Sequence, residues 1–147
     1  MKLSLFFTLF LALTIWGCGS KNGVDPVSER IKKSWSASLV RENSATTYTK
    51  GAATNVRPGY SSFQLDLSNS GTVVFIDFDG TRVTGQWSIS ADEKTLTLTN
   101  LVPQPTGTNG TIAFTITELT DTRLVLTRTT ANLKTGGTTN VYELTNP

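Results

Sequence analysis

GTVVFIDFDGTRVTGQWSIS, residues 71–90, reads as two alternating runs folded back on an Asp-Gly pair, and this reading decides the fold. With Asp79 and Gly80 as a two-residue turn, the stretch predicts a β-hairpin in which Phe78 faces Thr81, Asp77 faces Arg82, Ile76 faces Val83 and Val74 faces Gly85. One face then carries Phe78, Ile76, Val74, Val83, Trp87 and Ile89, and strand alternation sends Val73 and Phe75 to the other. Asp77 and Arg82 read as a cross-strand pair, and Asp79 as a turn former. A lone hairpin cannot bury its apolar face, so the rest of the chain has to supply more strands.

Working outward, SFQLDLS (62–68) turns Phe63, Leu65 and Leu67 inward, and TLTLTNL (95–101) does the same with Leu96 and Leu98. TIAFTITEL (111–119) offers Ile112, Phe114 and Ile116, RLVLTRT (123–129) offers Leu124 and Leu126, and TNVYELT (139–145) places Tyr142 among the candidate interior residues. Near the start, WSASLVRE (35–42) puts Trp35, Ala37, Leu39 and Arg41 on one face. Residues 43–60 form a long polar stretch without period, which predicts a loop. Asp25 followed by Pro26 marks a helix start, with Asp25 as N-cap and about two turns of helix after it. The connections between the eight strands are too short for parallel crossovers, so the sheet should be antiparallel with sequential neighbours. The choice lies between a sandwich and an up-and-down barrel, and eight strands suit a barrel. The expected fold is all-β: an eight-stranded antiparallel up-and-down barrel with a short N-terminal helix.

Before this domain stands MKLSLFFTLFLALTIWG, with one early cation, Lys2, and an apolar core too short to span a bilayer. It reads as an export signal over residues 1–17. The run Ile15, Trp16, Gly17, Cys18 resembles the lipobox of bacterial lipoproteins, where the cysteine becomes the acylated N-terminus of the mature chain. Cys18 is the only cysteine, so no intramolecular disulfide can form, and acylation would consume an otherwise free thiol. The resemblance implies a membrane tether at Cys18, well past the two signals that stable anchoring needs. Residues 18–25 then form a lipidated linker, and 26–147 the barrel domain. No acidic run follows the cysteine, which points to the periplasmic face of the outer membrane.

Composition narrows the function. Once Lys2 leaves with the signal, 12 cations face 11 anions, a balance that gives no reason to expect nucleic acid as a partner. Histidine is absent, which removes the usual general base and most soft-metal sites. No spacing assembles a nucleophile with its base, and neither an enzyme, a metal nor a cofactor is expected. Threonine, alternating with Leu, Ile, Val and Phe, suits strands with one wet face.

The runs TGQWSIS (84–90), DEKTLTL (92–98) and ITELTDTRLVL (116–126) resemble the lipocalin-like domain of small Bacteroidota lipoproteins, a calycin-type barrel, over about Ile31 to Thr145. Its most specific residues here are Gly85, Gln86 and Trp87, followed by Leu96, Leu98, Ile116, Leu119, Leu124 and Leu126. The resemblance implies a barrel that holds a small apolar or amphipathic molecule, with Phe63, Leu65, Ile76, Phe78, Trp87, Phe114, Leu126 and Tyr142 as candidate contacts. The alternative is a structural or protein-interaction module whose barrel is filled by its own side chains. The volume of the interior separates the two.

Overall fold

A computed structural model describes residues 23–146. The predicted signal peptide, Cys18 and most of the linker lie outside the described residues. The elements are α1 (Val27–Arg30), β1 (Ser34–Glu42), β2 (Ala45–Thr49), β3 (Gln64–Asp66), β4 (Thr72–Ile76), β5 (Arg82–Ile89), β6 (Thr95–Val102), β7 (Ile112–Leu119), β8 (Arg123–Arg128) and β9 (Asn140–Thr145). Two 3-10 turns, Pro58–Ser62 and Leu133–Thr135, lie in the connections.

Every pairing is antiparallel. Strands β3 to β9 follow in order, and β1 closes the ring by pairing β3 at Ser34–Ser36 on one edge and β9 along Ser36–Glu42 on the other. This is the expected eight-stranded barrel with one addition. Strand β2 lies within the segment expected to be a loop, and it pairs with the upper half of β1 on the edge that β3 leaves free. Thr46, Thr47, Tyr48 and Thr49 are strand formers. Asn43, at a positive φ of 55°, makes the turn into them. The free edge of β2 is protected by its own continuation. The Asn55 side chain accepts from Thr49 N at 2.8 Å and donates to Thr49 O at 3.1 Å, and Arg57 N donates to Thr47 O at 2.9 Å.

Two corrections concern parity. The central hairpin is one residue out of the expected register: Phe75 pairs with Val83, Val73 with Gly85, and Ile76 with Arg82. Asp77 N donates to Thr81 O at 3.0 Å and Gly80 N to Asp77 O at 2.9 Å, so the loop is Phe78, Asp79, Gly80, with Gly80 at a φ of +79°. A three-residue loop whose left-handed glycine comes last matches strand twist as well as a two-residue turn does. It reverses the face of every residue before it. Val73 and Phe75 are therefore core, and Val74 and Ile76 face outward, half-buried. In β1 the register against β9 shifts between Ala37 and Leu39. Trp35 and Ala37 point inward as expected, but beyond the bulge Val40 and Glu42 are inward while Leu39 and Arg41 are not. Arg41 instead pairs with Glu143 at 2.8 Å on the outer surface.

The lower end of the barrel holds short turns and α1. The helix is a single turn whose N-cap position is Pro26, and Asp25 makes no capping bond. Its free Val27 N–H is taken by Glu93 Oε1 at 3.1 Å, from the β5–β6 turn. Arg30 Nη2 donates to Leu119 O at 2.6 Å and Lys33 Nζ to Asp121 O, so α1 and the residues after it are fastened to the β7–β8 turn as well. Below the core, Trp35 Nε1 donates to Ile31 O at 3.0 Å and Trp87 Nε1 to Asn69 O at 2.9 Å, which satisfies both buried indoles.

The register sets a sharp contrast between two adjacent side chains. Phe75→Ala should cost about 3–5 kcal/mol of unfolding free energy, whereas Ile76→Ala should cost about 1 kcal/mol or less. Equilibrium urea unfolding measures both, and the reverse ranking would restore the two-residue turn.

Candidate functional site

The longer connections meet at the upper end, and their polar residues form a buried network around two tyrosines. The β1 bulge turns Glu42 inward, where it is 7% exposed. Arg57, in the segment after β2, grips its carboxylate through Nε at 2.5 Å and Nη2 at 2.9 Å, and the Tyr60 hydroxyl donates to Oε1 at 3.0 Å. Three donors hold this carboxylate, in the two-pronged geometry that makes arginine–carboxylate pairs strong. The Glu42 carboxylate holds the Arg57 guanidinium above its ordinary range, against the opposing effect of burial.

Asn140, fully buried at the start of β9, joins the two tyrosines. Its Nδ2 donates to the hydroxyls of Tyr60 at 3.1 Å and Tyr142 at 3.2 Å, while its Oδ1 accepts from Thr138 at 2.7 Å and Thr135 at 3.2 Å. Burial pushes the Tyr142 hydroxyl up to about 12; Asp77 adds to the rise, and Arg128, Asn140 and Asn132 oppose it. Tyr60 is raised further, again chiefly by burial. Both phenols therefore act as neutral donors and acceptors.

Asp77 does not face Arg82. It is buried, and together with Asp79 it clasps Lys134 from the β8–β9 connection, at 3.1 and 2.7 Å. Burial alone would raise Asp79, but hydrogen bonds from Lys134 and Thr81 bring it down to about 2. Lys134 is raised in turn: burial works against its charge, and the bond to Asp79 and the field of Asp77 outweigh that.

Six of the eight expected contact residues, Phe63, Leu65, Trp87, Phe114, Leu126 and Tyr142, are buried in one core. They do not line an open space. Phe63 stacks on Tyr142 at 4.9 Å between centroids, Phe114 meets Tyr142 edge-on at 6.0 Å, and Phe63 meets Phe75 edge-on at 5.4 Å. Leu65, Leu96, Leu98, Leu124, Leu126 and Leu144 have no exposed surface, and no cavity opens among the described residues. Trp87 sits apart from the aromatic column, at the lower end. Ile76 lies on the outer face, a correction that follows from the three-residue loop. Phe78 is the loop's first residue, half-buried between Tyr60 at 5.1 Å and the Arg57 guanidinium at 5.0 Å.

Of the residues that build the network at the upper end, the sequence singled out Tyr142, Asp77 and Asp79, each in another role, and not the others. Glu42 is hidden by the bulge, Asn140 opens β9, and Arg57, Tyr60, Asn132 and Lys134 come from connections whose approach no periodicity signals. Gly59 offers one trace: a Cβ there would stand 2.2 Å from Phe78 O, so only glycine lets the Pro58–Ser62 turn press on the hairpin loop.

Because Asp79 is held below its ordinary value of 3.8, it contributes stability above about pH 4, and that contribution is lost as pH falls toward 2. Asp79→Asn should therefore flatten the drop of the thermal midpoint between pH 4 and pH 2 relative to wild type. Parallel curves for the two proteins would show that the Lys134 clasp does not act through Asp79.

No family model matches the chain, and no curated protein matches it. Among solved structures it is similar to a lipocalin-like protein from Bacteroides uniformis, with 14% identity and a TM-score of 0.47 over 80% of this chain and 99% of that one. It is also similar to an uncharacterized protein from Bacteroides eggerthii, with 16% identity and a TM-score of 0.44 over 78% of this chain and 98% of that one.

Proposed function

We propose that the chain is a non-enzymatic envelope lipoprotein, tethered through an acylated Cys18 at the periplasmic face of the outer membrane, whose filled barrel serves as a rigid scaffold for protein contacts. The observation that carries this reading is the packed interior: the side chains expected to contact a ligand pack against one another instead. A closed barrel of eight strands is just wide enough to be filled this way, or to hold one small ligand. The carrier reading, a small apolar or amphipathic molecule held inside, rests on the resemblance to lipocalin-like domains and on strand number. The surface supports the scaffold reading. Of the four large apolar residues left exposed among the described residues, Val56, Val102 and Leu133 lie in or beside the upper-end connections, and the fourth, Val24, lies just before α1. The chain enters the barrel at the lower end, so a membrane tether leaves the upper end facing outward.

Native mass spectrometry with lipid extraction, on the domain from Lys21 onward, is expected to give the bare polypeptide mass. Fatty acids and hydrophobic dyes should leave its tryptophan fluorescence unchanged. A stoichiometric co-purified small molecule would overturn the filled-barrel reading in favour of the carrier. The tether is checked separately: Cys18→Ala in the full chain should abolish acylation of the mature N-terminus, read from intact mass. Unchanged mass chemistry at that terminus would refute lipidation at Cys18.

A further inference from the structure

The connection of residues 129–139 crosses the whole mouth of the barrel. Around the ring the strands run β1, β3, β4, β5, β6, β7, β8, β9. The β8–β9 connection is thus separated from the β4–β5 loop by β5, β6, β7 and β8 one way and by β9, β1, β3 and β4 the other, which sets the two opposite each other. Across that span Lys134 Nζ reaches Asp77 Oδ2 at 3.1 Å and Asp79 Oδ2 at 2.7 Å. The crossing segment is bonded chiefly to itself. Asn132 N donates to Thr138 O at 2.8 Å, Gly137 N to Asn132 O at 2.9 Å and Lys134 N to Asn132 Oδ1 at 3.1 Å, while the Thr135 and Thr138 hydroxyls meet at 2.6 Å. It therefore has a shape of its own.

Little apolar surface fastens it down. Its buried residues are polar, Asn132 and Thr135, and its one large apolar residue, Leu133, is 58% exposed and lies against Gly107, where an added Cβ would stand 2.4 Å away. Lifting the segment forfeits almost no apolar burial, a property of segments that open on their own. At the β9 end, Thr139 N donates to Asn43 Oδ1 at 3.0 Å and Thr139 O accepts from Asn43 N at 2.8 Å, so that end is anchored. At the β8 end Thr130 and Ala131 are exposed and take part in none of these bonds. The closed position also leaves two buried donors without a partner among the described residues, Arg128 Nε just before the segment and Asn132 Nδ2 within it. Water reaching them on opening would offset part of what the Lys134 contacts contribute.

We propose that residues 129–139 are a strap that swings off the barrel mouth as one body while the eight barrel strands stay paired, with Lys134 as its latch on Asp77 and Asp79. The strap turns at Thr130 and Ala131 and near Thr139. Asn140, Tyr60 and Tyr142 stay with the barrel, so the bonds that join the amide to the two phenols survive the movement. Opening brings solvent to Arg128 and carries Asn132 out into it. The mouth is gated rather than sealed, and one lysine between two carboxylates decides its state.

The test is a spin-label distance measurement on the full chain in a non-ionic detergent. Cys18→Ser leaves two introduced cysteines, Leu133→Cys on the strap and Ser88→Cys on the exposed outer face of β5, as the only labelled positions. With Lys134 in place one shorter distance should dominate. Lys134→Met should shift the distribution to a longer distance while the far-UV circular dichroism of the barrel stays unchanged, and Lys134→Arg, which keeps the charge, should retain the shorter one. Because Lys134→Met leaves the buried Asp77 without its cation, the double variant Lys134→Met with Asp77→Asn, which removes both charges together, is measured beside it. The shorter distance in a folded Lys134→Met protein would overturn the strap. If that variant fails to fold, the double variant decides: a longer distance in it supports the latch, and the shorter distance or a second failure to fold overturns it.

Discussion

In a closed barrel every strand residue faces either the core or the solvent, and parity along the strand decides which. Several local irregularities set that parity, and two of them place the residues that core and network share. Gly80, the left-handed third residue of the central loop, puts Val73 and Phe75 inside. The bulge in β1 between Ala37 and Leu39 places Val40 and Glu42 inside. Without the first, the aromatic column would lose Phe75, which meets Phe63 edge-on. Without the second, Arg57 and Tyr60 would have no inward carboxylate to hold. Core and polar network thus both rest on where the period of two is broken.

This explains how far the sequence could be read. A strand with uninterrupted alternation, such as residues 139–145, emerges where expected, and the turns at the lower end follow their Asn, Gly and Asp residues. The hairpin itself was recognisable, but Asp-Gly fits either the middle of a two-residue turn or the end of a three-residue loop, and the two differ by one residue of register. Nothing in SWSASLVRE marks Ser38 as the site of a bulge, because small polar residues also sit comfortably on a regular outer face. The β2 strand was lost for a related reason: a short threonine-rich run between polar turns has no apolar period of its own. It becomes a strand because β1 leaves an edge open above β3. The upper-end network was illegible, since its members come from five separate segments and meet only after the barrel has closed.

Tyr60 and Tyr142 tie the two halves of the interior together. Their rings belong to the aromatic column, with Tyr142 flat on Phe63, while their hydroxyls belong to the network through Asn140. Packing fixes the rings, the rings fix the hydroxyls, and the hydroxyls fix the amide between them. Burial keeps both phenols neutral, so this part of the network holds its pattern across the physiological pH range. Rigidity of this kind suits a surface that must be presented in one shape.

The β1–β9 seam has a consequence in time. Ser38 donates to Glu143 O across 105 residues of chain, and that ladder joins the first strand of the barrel to the last. Until β9 has emerged from whatever machine is making or threading the polypeptide, β1 has nothing to close against. Pairing of such distant segments is slow, since the long loop must be closed before any contact rewards it. The order of synthesis and the order of assembly are thereby separated. The sheet stays open until β9 arrives, and that strand converts a meandering sheet into a ring.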